Sequence, residues 1–169
     1  MGAGFFAAEK AERSQERQAH LFAEGHGVDK AVGLSRVRTL DELLACADVL
    51  SLHCPLTDET RYLIAERELA LLKTSAFVVN TARGAVIKKT AILDALRAGR
   101  IAGAGLDVVE DEPLKSAEEA SVPNLIATCH AAFCSVESKL EMRATSARIA
   151  LAAVRGEPLE NVVNGVAGP

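Results

Sequence analysis

Aromatic residues are scarce in this sequence, and their scarcity limits how the core can be built. They make up 4% of the 169 residues, and tryptophan is absent, yet hydrophobic residues reach 49%. The core must therefore be aliphatic, which is typical of a parallel sheet covered by helices. The length suits one domain with a sizeable core and is too short for two ordinary domains.

An excess of positive charge is also lacking. The formal net charge of -4 provides no basic surface for phosphates, which argues against direct binding of nucleic acid. No apolar run approaches the length of a membrane span, and the N-terminus lacks the charged and then apolar pattern of a secretory signal. We therefore expect a cytoplasmic or nuclear protein that makes no contact with a membrane.

Close pairs of cysteine are missing as well. The four cysteines are scattered, and only Cys129 and Cys134 lie near each other, with His130 between them. Zinc sites usually take two such pairs, so a metal site here is the weaker alternative. We predict reduced thiols and no bound metal.

Strand and helix patterns alternate from Val49 onward. Strands are predicted at Val49–His53, Ala76–Asn80, Ala104–Val109 and Asn124–Thr128. Helices are predicted after an N-cap at Thr39, at Glu66–Leu72, at Thr90–Ala98 with Leu93 and Leu96 facing inward, and at Ser135–Arg155. Because such alternation produces right-handed crossovers, we expect an α/β fold with a parallel sheet in three layers. The acidic stretch Glu110–Glu119 reads as a solvated loop.

The first 32 residues do not follow this alternation. Phe5–Ala23 has the composition of a helix but no continuous apolar stripe, so residues 1–32 are predicted to form a weakly anchored helix or an arm. Gly2 and Gly4 lack the preceding strand and third glycine of a phosphate-binding loop. The domain itself is predicted to span residues 33–164, followed by a tail at residues 165–169.

Three ionisable residues follow three successive predicted strands: Arg83, Glu112 and His130. Since parallel strands place their carboxyl ends at one edge of a sheet, these side chains can converge there. Arginine suits a carboxylate because its planar fork makes two parallel hydrogen bonds. Histidine transfers protons near neutral pH, and a neighbouring carboxylate can fix its tautomer. Taken singly, the three residues could equally be a surface arginine, a loop glutamate and a capping histidine.

Four ordered motifs resemble a known family. They are Leu52-His53-Cys54-Pro55-Leu56-Thr57, Val79-Asn80-Thr81-Ala82-Arg83-Gly84, Gly105-Leu106-Asp107-Val108 with Glu112-Pro113, and His130-Ala131-Ala132. This part of the chain closely resembles the nucleotide-binding domain of the D-isomer-specific 2-hydroxyacid dehydrogenases. The continuation His130-Ala131-Ala132-Phe133, with Glu141-Met142-Arg143, looks most like the C-terminal-binding-protein branch. The likeness implies a partial Rossmann-like, doubly wound sheet.

The resemblance also implies roles for individual residues. Arg83 is expected to bind the carboxylate and carbonyl of a 2-keto acid, His130 to be the acid and base, and Glu112 to pair with His130. The cofactor implied is NAD(H). The residues implied to bind it are Cys54, Pro55, Thr81, Ala82, Arg83, Asp107, His130 and Ala132. Among them, Asp107 is expected to orient the nicotinamide amide.

Departures from the family pattern leave two functions open. The glycine-rich loop that cradles the pyrophosphate is not recognisable in this sequence, so cofactor binding is expected to be weakened, and the separate substrate domain is missing. Cys129 replaces the usual proline, Ala85 a second glycine, and Lys88-Lys89 an acidic helix start. One reading is an NAD(P)-dependent oxidoreductase for a D-2-hydroxy acid, present as an incomplete chain. The alternative is a non-catalytic module that forms homodimers or binds corepressor partners. A third reading is a dinucleotide-binding fold like that of S-adenosylhomocysteine hydrolase. It explains the alternation of strands and helices but not the spacing of Arg83, Glu112 and His130.

Overall fold

One mixed β-sheet organises the first part of the chain. In a computed structural model, residues 5–9, 17–21 and 35–162 are described, and the chain divides into the units Met1–His130 and Ala131–Pro169. The described strands are β1 (Phe5–Glu9), β2 (Arg17–Leu21), β3 (Ser35–Arg36), β4 (Val49–Leu52), β5 (Phe77–Asn80), β6 (Gly103–Leu106) and β7 (Leu125–Ala127). Their order across the sheet is β3-β2-β1-β4-β5-β6-β7.

The predicted parallel α/β sheet is confirmed for β4 to β7. These four strands are parallel neighbours, with Leu50 opposite Val78 and Val78 opposite Ala104. The helices of the first unit are α1 (Leu40–Cys46), α2 (Glu66–Leu71), α3 (Lys89–Arg97) and α4 (Ala117–Ala120). The core is aliphatic as expected, and Leu50, Leu52 and Val78 are completely buried. Burial of this kind stabilises the sheet by about 25 cal/mol for each Å² of apolar surface removed from water.

Local signals in the sequence account for the helix ends. The Thr39 hydroxyl accepts a hydrogen bond from the Glu42 amide at 3.2 Å, which confirms the predicted N-cap of α1. α3 stops before Gly99, which has a φ of +63° that glycine adopts without strain. Leu93 and Leu96 are both buried, as the spacing predicts.

The helix predicted over Phe5–Ala23 is not found, because the described residues of this segment form the strands β1 and β2. β1 is antiparallel both to β2 and to β4, with Phe5 opposite Leu52 and Ala8 opposite Val49. The backbone groups along the free side of β4 need partners, and pairing with β1 supplies them. Tertiary pairing therefore overrides a helical composition here. Gly2 and Gly4 lie outside the described residues, as does the predicted tail at residues 165–169.

The acidic stretch after β6 is more ordered than a solvated loop. It contains α4, which is capped by the Ser116 hydroxyl accepting from the Glu119 amide at 3.1 Å. Glu119 also forms a salt bridge of 2.8 Å with Lys89 in the first turn of α3. Lys88 pairs with Glu66 at 2.6 Å. The unusual Lys88-Lys89 start of α3 is therefore offset by carboxylates from other elements.

The second unit contains the helix α5 (Val136–Arg155). Its N-cap is Ser135, whose hydroxyl accepts from the Ser138 amide at 3.0 Å. The helix ends at Gly156, which has a φ of +67° and confirms the predicted stop. Within the described ranges, none of the helices combines the length and the apolar composition needed to cross a bilayer.

Candidate active site

The turn that leads from β5 to Arg83 is held by one buried side chain, that of Asn80, which is 1% exposed. Its Nδ2 donates to the carbonyl oxygen of Arg83 at 3.0 Å, and its Oδ1 accepts from the Ala82 amide at 3.0 Å. Both polar ends of the amide are therefore satisfied in the core. Asn80 was not among the predicted site residues, although a buried polar residue ending an apolar strand is a signal that sequence reasoning could have used.

Arg83 lies on the surface immediately beyond this turn. Its guanidinium Nη1 donates to the Ala82 carbonyl oxygen at 2.7 Å, and its backbone precedes a short 3-10 turn at Gly84–Val86. Gly84 packs so closely that a Cβ atom built on it would lie 2.1 Å from the carbonyl carbon and oxygen of Val109. The Arg83 backbone is thus fixed against the segment that follows β6.

Asp107 connects three strand ends through its backbone. Its amide donates to the Asn80 carbonyl oxygen at 3.0 Å, and its own carbonyl oxygen accepts from the His130 amide at 2.9 Å. The Asp107 carboxylate is buried at 7% exposure and accepts a hydrogen bond from the Thr128 hydroxyl. The ends of β5, β6 and β7 are therefore joined at the edge where an open parallel sheet binds ligands.

Glu112 and His130 form the one direct contact among the three predicted catalytic side chains. The His130 Nδ1 lies 2.8 Å from the Glu112 Oε2, and the two side chains are 43% and 37% exposed. A carboxylate on Nδ1 favours the tautomer with its proton there and directs Nε2 outward. His130 also has a φ of +55°, a conformation that is uncommon for residues other than glycine and is enriched at functional sites.

A cleft of about 570 Å³ adjoins this pair. Its walls are largely apolar, with carboxylate, hydroxyl and imidazole groups also lining it. The lining residues are Asp107, Val109, Glu112, Pro113, Leu114, Ala120, Ala127, Thr128, Cys129 and His130. Arg83 does not line this cleft. The structure thus brings Glu112 and His130 together. It links Arg83 to His130 through the Asn80 side chain and the backbone hydrogen bonds of Asp107, whereas direct convergence of all three side chains stays a prediction.

The described residues contain no group of three histidine, cysteine or acidic side chains placed to hold a metal ion. Cys129 and His130 belong to the first unit, and Cys134 to the second.

Residues 1–132 match the family described as D-isomer specific 2-hydroxyacid dehydrogenase, NAD binding domain. The chain belongs to this family. A glyoxylate reductase from Aeropyrum pernix is 43% identical over 146 residues, which cover 86% of this chain and 43% of that protein. The family match includes all three strand ends that form the candidate site, since His130 lies within residues 1–132.

Solved dehydrogenase structures share the fold. The holo form of Rhodotorula graminis D-mandelate dehydrogenase has a TM-score of 0.78 and 32% identity, covering 87% of this chain and 43% of that one. The D-lactate dehydrogenase of Lactobacillus jensenii, solved with NAD+, has a TM-score of 0.75 and 29% identity, covering 85% and 47%. The chain therefore spans less than half the length of these relatives. Their names give no support to the C-terminal-binding-protein branch.

NAD is the cofactor of this domain family, and the chemistry of the sheet edge fits its nicotinamide end. The Asp107 carboxylate is an acceptor suited to a carboxamide N–H, while Thr81 and Arg83 are exposed donors after β5. Pro55 is exposed after β4, and its carbonyl oxygen accepts from the Thr60 hydroxyl at 2.7 Å. The positions of Pro55, Thr81 and Arg83 after two neighbouring strands suit a cofactor groove that is formed largely by backbone atoms.

The remaining predicted cofactor residues differ in their exposure. Cys54 is 2% exposed, and burial raises the pKa of its thiol, so a contribution from this residue would come from its backbone. Ala82 is half-buried beside Arg83, and Ala132 is an exposed residue of the second unit.

The pyrophosphate end of the cofactor has less support from the described residues. β1 runs antiparallel to β4, so its carboxyl end lies at the opposite edge of the sheet from Arg83 and His130. Support from a helix N-terminus, the usual site for a pyrophosphate, is therefore not shown by the described residues next to β4. The expectation of weakened NADH binding accordingly stays a prediction.

Proposed function

We propose that this chain is the nucleotide-binding part of an NAD-dependent oxidoreductase that interconverts D-2-hydroxy acids and 2-keto acids. The observation that carries the proposal is the 2.8 Å contact between His130 and Glu112. It lies at the edge of the sheet where the parallel strands have their carboxyl ends, in a chain of the dehydrogenase family. An imidazole that is fixed on one nitrogen by a carboxylate has its other nitrogen available for proton transfer. The resemblance assigns acid and base catalysis to His130 and a pairing role to Glu112.

His130 is the proton donor in reduction. In the imidazolium form, His130 passes its Nε2 proton to the carbonyl oxygen of the keto acid and becomes the neutral tautomer with its proton on Nδ1, where Glu112 holds the ring in the required orientation. The cofactor, when bound, supplies the hydride that adds to the carbonyl carbon. In the reverse direction, His130 accepts the proton from the hydroxyl group at Nε2, and Glu112 again holds the ring through Nδ1.

Arg83 is the carboxylate-binding residue of the proposal. Its guanidinium is exposed, and the Asn80 side chain and the Gly84 contact fix its backbone. A planar fork of donors on a rigid turn can hold the carboxylate and stabilise charge that develops on the neighbouring carbonyl oxygen. Since relatives are named glyoxylate reductases, small 2-keto acids such as glyoxylate are the substrate class to test first.

The test measures NADH oxidation by the purified chain with glyoxylate. We expect slow turnover that His130→Ala abolishes and Glu112→Gln lowers by about 10² to 10⁴-fold, the usual contribution of general acid–base catalysis. Glu118→Gln is the matched control, since the Glu118 side chain is 85% exposed on the same segment. Absence of turnover in the unmodified chain, or unchanged turnover in His130→Ala, would overturn the proposal.

The predictions about assembly, family branch and location rest on other grounds than the catalytic proposal. A homodimer, the C-terminal-binding-protein branch and the corepressor alternative rest on sequence resemblance alone, and the cytoplasmic location rests on composition. Light scattering of the purified chain tests the dimer directly, because a monomeric mass at high concentration contradicts it. The oxidoreductase is preferred to the corepressor because the named relatives are reductases and dehydrogenases.

A further inference from the structure

Tyr62 contacts the loop that carries Glu112, although 50 residues separate them in sequence. Its hydroxyl donates a hydrogen bond to the Glu110 carboxylate. Its own amide donates to the Ala85 carbonyl oxygen at 2.8 Å, within the turn that follows Arg83. Tyr62 therefore joins the Arg83 turn to the Glu112 loop.

The backbone of Tyr62 is held in an unusual conformation at this junction. Its φ is +55°, which is a genuine outlier for a bulky residue. The hydrogen bonds to Ala85 and Glu110 help to hold it there. A strained residue that spans two candidate site loops points to a positioning role.

The Glu112 loop is fixed at the same place from a second side. The Val109–Glu110 peptide lies against Gly84 so closely that a Cβ on that glycine would be 2.1 Å from Val109 and 2.6 Å from the Glu110 nitrogen. Glu110 is thus held by its backbone against Gly84 and by its side chain on Tyr62. Glu112 follows two residues later and reaches His130 at 2.8 Å.

We propose that Tyr62 is a positioning residue that holds Glu112 in reach of His130. The proposal deepens the proposed function and rests on it for its catalytic consequence. A hydrogen bond of 2.8 Å is lost when its partners move apart by about 1 Å. Release of the Glu110 side chain allows the loop that carries Glu112 to move by such a distance, and His130 then loses the carboxylate that fixes its tautomer.

The first experiment needs neither cofactor nor turnover. NMR of the full chain with ¹⁵N-labelled histidine reports which ring nitrogen of His130 carries the proton, and His130→Gln assigns the signal among four histidines. We expect the Nδ1-protonated tautomer in the unmodified chain and a shift toward the Nε2-protonated tautomer in Tyr62→Phe. That substitution removes only the hydroxyl and keeps the ring, so folding should be retained.

Matched variants separate positioning from a general loss of order. Glu110→Gln should shift the tautomer in the same direction as Tyr62→Phe, whereas Glu118→Gln, an isosteric change on the same segment, should leave it unchanged. An unchanged tautomer in both Tyr62→Phe and Glu110→Gln overturns the positioning role. A shift in all three variants overturns it too, because the effect would not depend on the Tyr62 contact.

The contact itself has a clean spectroscopic signal, since Tyr62 is the sole tyrosine and tryptophan is absent. The hydrogen bond to Glu110 raises the pKa of the Tyr62 hydroxyl. Absorbance of the tyrosinate during an alkaline titration should therefore rise at a higher pH in the unmodified chain than in Glu110→Gln. Identical titration curves would show that the contact does not form.

Kinetics provide the link to the proposed function. With glyoxylate and NADH, Tyr62→Phe should lower kcat by about tenfold to 10²-fold, the loss typical of a misplacement of about 1 Å. The KM for the keto acid should change little, because Arg83 is untouched. Inactivity of the unmodified chain counts against the proposed function, whereas equal kcat in Tyr62→Phe and the unmodified chain counts against positioning.

Discussion

The Asn80 side chain spans the turn before Arg83, donating to the Arg83 carbonyl oxygen and accepting from the Ala82 amide, both at 3.0 Å. An exposed arginine is thereby attached to a backbone that is anchored in the core. The Asn80 carbonyl oxygen also accepts from the Asp107 amide at 3.0 Å. One buried residue consequently sets the relative placement of two parts of the candidate site.

Asn80→Ala should destabilise the fold by about 1 to 3 kcal/mol, because the Ala82 amide and the Arg83 carbonyl lose their buried partner. Urea unfolding followed by circular dichroism measures this as a lower midpoint. Asn80→Asp keeps an acceptor for the Ala82 amide but removes the donor to Arg83, so a comparison with the unmodified chain reports the loss of the Arg83 bond together with the burial of a carboxylate. An unchanged midpoint in Asn80→Ala would show that the turn does not depend on this side chain.

Gly84→Ala should destabilise the chain by about 1 to 3 kcal/mol through overpacking. The new methyl group would lie 2.1 Å from backbone atoms of Val109, which belong to a packed loop and cannot move aside cheaply. Gly105→Ala is the matched control, since nothing lies within 4 Å of a Cβ at that strand position. Equal unfolding midpoints for Gly84→Ala and Gly105→Ala would contradict the close packing of the Arg83 turn on the Val109 loop.

The salt bridge between Lys89 and Glu119 predicts a dependence of stability on acid pH. The hydrogen bond from Lys89 lowers the pKa of the Glu119 carboxyl. Its stabilising effect is therefore complete above the unfolded pKa of about 4.3 and is lost as the pH falls through the lower folded value. Glu119→Gln should lower the urea midpoint at pH 7 and have a smaller effect at strongly acid pH.

Glu118→Gln serves as the comparison for that titration, because the Glu118 side chain is 85% exposed and lies 3.7 Å from Arg97. A pair with such exposure is screened by solvent and contributes little. The midpoint of this variant should follow that of the unmodified chain at every pH. If the two glutamine variants behave alike, the half-buried Lys89–Glu119 pair does not stabilise α4 against α3.

Local patterns in the sequence were sufficient for the regular elements from Thr39 onward. The Thr39 cap, the buried faces at Leu93 and Leu96, and the stop at Gly156 depend on residues close in the chain, so periodicity and capping rules predict them. The contact of Glu112 with His130 could be predicted because parallel strands place their carboxyl ends at one edge of the sheet. The catalytic and cofactor roles assigned to the site residues stay predictions.

Features that depend on distant pairing could not be predicted in this way. β1 and β2 form because β4 offers a free side, whereas their composition favours a helix. The hydrogen bond from Tyr62 to Glu110 joins residues 48 positions apart, and no local pattern indicates it. The Lys88-Lys89 start of α3 conflicts with the helix dipole until the carboxylates of Glu66 and Glu119 are placed beside it.

The reactivity of Cys54 should differ sharply from that of Cys129. Cys54 is 2% exposed, and burial raises the pKa of its thiol, so at neutral pH both the thiolate fraction and access for a reagent are reduced. Cys129 is exposed. Alkylation by iodoacetamide, followed by mass spectrometry of the peptides, should modify Cys129 long before Cys54. Urea should remove the difference, since unfolding exposes both thiols. Rapid labelling of Cys54 in the folded chain would mean that the end of β4 opens, and with it the backbone groove proposed for the cofactor.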